Sequence, residues 1–84
     1  MIIVRQDGAA AINMDAIACV ELSNSVDGDL ILRSSVDSRV RYLGSFKQKD
    51  AAQQALNDLI AAYDRGENVF RVPQPKGEQD EINP

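Results

Sequence analysis

The segment from 48 to 65 limits the possible folds of this chain more than any other part. It is rich in alanine, glutamine and leucine, and it contains no glycine, no proline and no β-branched residue except Ile60. This composition predicts an α-helix, which Arg65 and Gly66 would end. Its apolar residues recur at helical spacing and predict one stripe that packs into the core; they are Ala52, Leu56, Leu59, Ile60 and Tyr63.

Short runs with strand character precede the helix, at 1–5, 10–13, 17–23, 29–34 and 39–44. Turn signals separate them: Asp7-Gly8, Asp27-Gly28 and the stretch from Asn13 to Asp15. We therefore expect an α+β fold in which an antiparallel five-stranded meander packs against one C-terminal α-helix. A short extended segment, 69–72, would follow the helix and add or cover an edge strand.

The two-residue period assigns one face of each later strand to the helix. The residues expected on these faces are Ala18, Val20 and Leu22, then Leu30 and Leu32, then Val40 and Tyr42. The resulting domain would span 1–72. Residues 73–84 contain three prolines and a single apolar anchor, Ile82, and predict a disordered polar tail.

Length and composition predict a small binding domain in the cytoplasm. Eighty-four residues allow one domain with a small core, which a second copy of the chain would help to stabilise. We therefore expect a homo-oligomer. The apolar start ends at Arg5, too early for a signal peptide, and charge interrupts every run that could span a membrane. A single cysteine, Cys19, excludes an internal disulfide.

The residue types needed for most enzymatic chemistry are missing. The chain has no histidine, which removes the commonest general base and the commonest metal ligand. Cys19 is expected to be a half-buried strand residue without a base to activate it. Asp27 and Asp29 flank a glycine, but the ligand spacing of a calcium loop is absent. We expect no enzyme, no cofactor and no metal site.

Charge is unevenly distributed. The chain has a net charge of −4, which argues against general nucleic-acid binding, yet 33–49 contains five basic residues and one acidic residue. If 34–38 connects the last two strands, Arg33 lies opposite Arg39, with Arg41 on the same face. Like charges opposite one another are destabilising and require an offsetting partner. The candidate ligand-binding residues are Arg33, Arg39, Arg41, Lys47 and Lys49.

Two interpretations of this basic segment remain open. The arginines could lie solvated or pair with Glu21 and with carboxylates such as Asp50. Alternatively they could bind an anion, with Lys47 and Lys49 beside the free N–H groups of the helix start. Tyr42 and Phe70 could offer stacking surface for a base, although core positions are the simpler expectation.

From Leu43 to Pro73 the chain contains Leu43-Gly44-Ser45-Phe46, a helix with Ala52, Leu56 and Ile60, then Gly66 and Phe70-Arg71-Val72-Pro73. This frame resembles a group of small proteins of Gram-positive bacteria and their phages. Their shared pattern is LG-x-[YF], A-x-x-x-L-x-x-[IL], a glycine and [FY]-x-[MV]-P. The earlier Ile12-Asn13-Met14-Asp15 also resembles their usual turn.

The resemblance implies the fold more than the function. The group usually has Ser or Thr followed by acidic residues at the helix start, where this chain has Lys47, Gln48, Lys49 and Asp50. The usual cap is lost and positive charge is gained. By analogy with small phage proteins that sequester host immune nucleotides, our leading hypothesis is a non-catalytic module that captures an anionic small molecule at a subunit boundary. The alternative is a protein-interaction module that docks an acidic host protein.

Overall fold

The computed structural model describes residues 1–17, 19–25, 28–36 and 39–74. It contains six strands, a 3-10 turn and one α-helix. In chain order they are β1 (Ile2–Val4), β2 (Ala11–Asn13), the 3-10 turn (Met14–Ala16), β3 (Cys19–Asn24), β4 (Leu30–Val36), β5 (Arg39–Phe46), α1 (Lys49–Asp64) and β6 (Val69–Arg71). Ala18, Asp27 and 75–84 of the predicted tail lie outside the described residues.

The strands form two three-stranded sheets, so the predicted five-stranded meander is wrong. The first sheet has the order β2-β1-β6, and the second has the order β3-β4-β5. In the first sheet β1 pairs antiparallel with β2 and parallel with β6. The predicted C-terminal helix is also corrected, because α1 lies in the middle of the chain and β6 returns from it to the first sheet.

The break in the meander lies between β2 and β3. The side chain of Asn13 accepts a hydrogen bond from the backbone N–H of Asp15 at 3.0 Å, as the turn prediction expected. This bond starts the 3-10 turn, which leads the chain out of the first sheet before β3 begins. The runs with strand character were therefore located correctly, while the pairing of β2 with β3 was wrong.

Gln6 joins the two sheets at a corner. Its backbone N–H donates to the carbonyl of Leu43 on β5 at 2.8 Å. Its side-chain amide donates to the carbonyls of Ser45 and Pro73, both at 3.0 Å, and accepts from the N–H of Ser45 at 2.9 Å. Gln6 is only 9% exposed, so these bonds satisfy an amide that would be costly to bury alone.

Gly44 allows the close approach at this corner. A β-carbon at this position would lie 2.8 Å from Cγ1 of Val72 and 3.1 Å from Cβ of Gln6. Leu43 beside it is fully buried and Phe46 nearly so. The Leu-Gly-x-Phe pattern therefore has a packing reason in this fold.

The helix buries part of the predicted stripe: Ala52 and Leu59 are buried as expected, and Leu56 packs against the core. Its buried residues are Ala52, Ala55, Leu59 and Ala62. Ile60 and Tyr63 were expected in the core but are 57% and 53% exposed. The sheets supply large core side chains, among them Leu32, Leu43 and Phe46, so a helix that packs closely against them presents alanines.

The predicted helix ends are close to the observed ones. Gln48 is the N-cap and makes no side-chain capping bond, as the loss of the usual cap predicted. At the other end Gly66 has a φ of 75°, and the N–H of Glu67 donates to the carbonyl of Ala62. This is the left-handed C′ position expected for Gly66.

The faces of the second sheet are confirmed for β3 and β4 and wrong for β5. Leu32 is fully buried, while Val20, Leu22 and Leu30 pack against the core. On β5, however, Val40 and Tyr42 are exposed. The register shifts between Leu32 and Arg33, which leaves Leu43 without a partner and changes the phase of β5.

Candidate functional site

Two of the predicted arginines lie on the inner face of the second sheet, the face toward α1. Arg41 pairs with Ser34 and Arg39 pairs with Val36 across β4 and β5. Directly opposite residues share a face, so both arginines lie on the same side as Ser34 and the buried Leu32.

The corner between β2 and β3 faces these arginines and completes a groove of about 490 Å³. We call it the arginine groove; its lining residues are Ile12, Asn13, Ala16, Ile17, Ser34, Arg39 and Arg41. Its β2 side contributes two isoleucines and an alanine, while its β5 side contributes two guanidinium groups. The groove therefore has one apolar wall and one cationic wall.

The polar groups of the arginine groove are available to a ligand. Arg39 and Arg41 are exposed, and within the described part of the chain neither forms an ion pair. Ser34 lines the same groove and is 1% exposed. Two guanidiniums and a hydroxyl in one groove can donate to phosphate or carboxylate oxygens.

Arg33 does not join this pair. It lies opposite Tyr42 rather than Arg39, so the predicted register was wrong. The strands continue to Val36 and Arg39, which shortens the connection and moves Arg33 to the outer face. There its Nε and Nη2 lie 2.8 Å and 2.6 Å from Oε1 of Glu21. Pairing with Glu21, one of the two interpretations left open, applies to this arginine.

Lys47 and Lys49 are also separate from the arginine groove. They lie beyond the far end of β5, at the start of α1. Six residues of extended chain from Arg41 to Lys47 span roughly 20 Å. Neither lysine lines the groove. The five candidates therefore occupy three locations, and the pair Arg39 and Arg41 lines the arginine groove.

The sequence analysis missed the other lining residues. Ser34 was placed in the connection between strands, although continuing the alternation of Leu30 and Leu32 would have placed it on the inner face. Ile12 and Ile17 were assigned to strands or their starts. No local signal showed that their corner would face β5, because this contact depends on how the two sheets are arranged.

Three other residues considered in the sequence analysis do not line the arginine groove; they are Cys19, Tyr42 and Phe70. Cys19 is exposed rather than half-buried, and its sulfur lies 4.0 Å from Oε2 of Glu21. Tyr42 is 41% exposed, and its hydroxyl donates to Oε1 of Gln6 at 3.3 Å. Phe70 packs against the core, as expected. Across the described residues, no group of three or more acidic or cysteine side chains is arranged to hold a metal ion.

Comparison with family models, with curated proteins and with solved structures found no match. The resemblance to small proteins of Gram-positive bacteria and phages stays a prediction. Within the described residues, α1 is too short and too polar to cross a bilayer.

Proposed function

We propose that this chain is a non-catalytic binding module that captures an anionic small molecule in the arginine groove. One observation supports the proposal: two guanidinium groups lie across the groove from an apolar wall. Neither guanidinium has a carboxylate partner in the described chain. A nucleotide has both matching parts, a phosphate and a base with flat, apolar faces. Sequestration of an immune signalling nucleotide by a phage-encoded protein is the specific form of this proposal.

The two walls of the groove would bind different parts of the ligand. Arg39 and Arg41 would hold phosphate oxygens through charge-assisted hydrogen bonds, which guanidinium groups form in pairs. The hydroxyl of Ser34 would add one donor from the groove floor. Ile12 and Ile17 would cover the base or sugar. Ligand pockets of roughly 300–1,000 Å³ are typical of small-molecule sites, and about 490 Å³ falls inside that range.

This proposal uses fewer residues than the sequence analysis suggested. Arg33 is engaged with Glu21 on the outer face, so removing its charge should leave ligand affinity unchanged. Lys47 and Lys49 lie too far from the groove for direct contact, and their charges could act only by long-range attraction. The acidic remainder of the chain would oppose nonspecific binding of polyanions.

Thermal melting against a panel of cyclic and linear nucleotides and inorganic phosphate tests the proposal. A ligand at a hundred times its dissociation constant adds about 2.7 kcal/mol to the free energy of unfolding. We expect one nucleotide class to raise the melting temperature, and we expect Arg39→Gln and Arg41→Gln each to abolish that rise. Arg71→Gln is the matched control, because Arg71 is an exposed arginine on β6 outside the groove.

Two results would contradict the proposal. A panel in which no compound changes the melting temperature would remove small-molecule capture. An equal loss of ligand stabilisation in Arg71→Gln and Arg41→Gln would show that net charge, not the groove, controls binding.

Docking of an acidic protein is the second candidate function, and the start of β5 favours it. Between the two arginines and beside them, Val40 and Tyr42 are 58% and 41% exposed. A partner on the outer face would contact these two side chains and Arg33, which lies opposite Tyr42. Val40→Asp distinguishes the candidates, because it should weaken protein docking on the outer face while leaving nucleotide binding in the groove intact.

A further inference from the structure

One edge of the second sheet is open. No described segment pairs with β3 on the side away from β4. Backbone N–H and C=O groups of successive residues point to opposite sides of a strand. The N–H of Ser25 donates to the carbonyl of Asp29, just before β4, so the groups of Val20, Leu22 and Asn24 point toward the free edge. β3 has no proline and no lysine, the residues that usually protect such an edge from pairing with another chain. We call this the β3 edge.

α1 has a row of apolar residues outside its buried face, of which Leu56 is partly buried and Ile60 and Tyr63 are exposed. Leu56, Ile60 and Tyr63 follow one another at spacings of four and three residues, so they lie in one row along α1. The first sheet is bonded to β5 through Gln6, so it lies at the edge of the second sheet opposite β3. α1 packs against β3 as well as β4 and β5. The row lies on one flank of the buried residues of α1. We call it the outer stripe.

We infer that a second copy of this chain pairs antiparallel with the β3 edge and packs its outer stripe against the first. Side chains that lie opposite one another must share a face, which requires a symmetric register centred on a single residue. Centring on Leu22 places Leu22 against its counterpart on the inner face, Val20 opposite Asn24, and Glu21 opposite Ser23. Centring on Glu21 would instead place two carboxylates together, which is destabilising.

The charges of α1 complement this arrangement. A two-fold axis perpendicular to the sheet puts both helices on one side and makes them antiparallel. Lys49 lies seven residues before Leu56, and Asp64 lies four residues after Ile60, so both continue the outer stripe at its two ends. Each Lys49 would then face Asp64 of the partner. Within the described chain neither residue forms an ion pair.

This dimer would join the second sheets of the two copies into one six-stranded sheet covered by two helices. Stable interfaces bury roughly 800 Å² per partner; here the contribution comes from five strand residues and from side chains that are half exposed in one copy, Ile60 at 57% and Tyr63 at 53%. Formation of this dimer should therefore depend on the protein concentration. The inference is independent of the arginine groove, whose arginines lie on β5 at the opposite edge of the sheet.

Sedimentation of the full chain over the micromolar to millimolar range tests the inference. We expect the mass to rise from 9.2 kDa toward twice that value. Ile60→Asp should shift the equilibrium to monomer by at least tenfold in dissociation constant. Val40→Asp is the matched control, because Val40 is 58% exposed but lies on β5, away from the interface, and it should leave dimerisation unchanged.

A charge exchange tests the antiparallel helices. Lys49→Asp and Asp64→Lys should each weaken the dimer, although each places a favourable charge at its helix end. The double variant should restore dimerisation. Amide hydrogen exchange adds the strand register, because the N–H groups of Val20, Leu22 and Asn24 should become protected as concentration rises.

Three results would overturn the inference: a monomer at every concentration, a dimer that Ile60→Asp and Val40→Asp affect equally, or β3 amides whose exchange does not depend on concentration. A double charge variant no tighter than either single variant would overturn the antiparallel helix contact.

Discussion

Replacing Gln6 by glutamate tests whether the corner between the two sheets depends on the amide of this side chain. Glutamate has nearly the same shape, but its carboxylate has no N–H groups. The substitution removes the two bonds that Gln6 donates to the carbonyls of Ser45 and Pro73, each 3.0 Å long. It also places a negative charge against both carbonyl oxygens at a site that is 9% exposed.

The magnitude follows from these contacts. Each lost hydrogen bond costs about 0.5–1.5 kcal/mol, and a buried group left without a partner costs about 1–3 kcal/mol more. We expect Gln6→Glu to lower the free energy of unfolding by about 3 kcal/mol at neutral pH, measured by urea denaturation. For a domain of this size about 1 kcal/mol corresponds to roughly 4–8 °C in melting temperature.

The loss should depend on pH with a definite sign. Burial and the facing carbonyls would raise the pKa of the new carboxyl above its unfolded value, so the folded variant binds a proton more readily than the unfolded one. The loss is then full above the folded pKa and shrinks as pH falls toward the unfolded pKa. Gln53→Glu, an exposed glutamine on α1, is the matched control and should cost under about 0.5 kcal/mol. Equal losses in the two variants, or a loss that grows in acid, would refute the reasoning.

Four further substitutions test other parts of the fold. Gly44→Ala should destabilise by about 1–3 kcal/mol, since its β-carbon would meet Val72 at 2.8 Å; adding Val72→Ala should cost less than the sum of the single losses in urea denaturation. Gln48→Asp should add the missing cap of α1 and stabilise by about 0.5–1 kcal/mol, seen as a higher melting temperature. The hydrogen bond from Arg5, followed by that from the N–H of Ala9, holds the pKa of Asp7 below its usual range. Its contribution is therefore present above the unfolded pKa and lost as pH falls through the folded pKa. The Asp7→Asn variant should melt below the wild type at neutral pH, and this difference in melting temperature should become smaller in acid. A difference that becomes larger in acid would contradict this assignment.

Local chemistry predicted the elements well. The helix was expected at 48–65 and spans Lys49–Asp64, and each strand lies within or close to an expected run. The Asn13 turn and the Gly66 stop were also expected, because each depends on residues within one turn of the chain. These features are determined by the backbone preferences and hydrogen bonds of neighbouring residues.

Contacts between distant segments were harder to predict. Hydrophobicity ranks Ile60 above Ala55, yet Ala55 is buried and Ile60 is exposed, because the packing of α1 on the sheet decides which side of the helix is buried. The unpaired Leu43 could not be recognised before its partner strand was known, and it reversed the faces expected for Tyr42. Gln6 gave no signal, since a glutamine between Arg5 and Asp7 is typical of an exposed turn.

The sequence predicted only part of the candidate site, because the rest depends on contacts between distant segments. The charge imbalance of 33–49 identified Arg39 and Arg41, which line the arginine groove. It also included Arg33, whose face depends on the strand register. Ile12 and Ile17 were absent from the prediction, because they reach the groove only through the arrangement of the two sheets.

A nucleotide titration followed by amide and arginine side-chain NMR signals tests the central claim most directly. The ligand would be the nucleotide that raises the melting temperature most. We predict saturable shifts at Ser34, Arg39 and Arg41, accompanied by Ile12 and Ile17 across the groove. Shifts that never saturate, or that concentrate at the start of α1 and leave the groove unchanged, would contradict it.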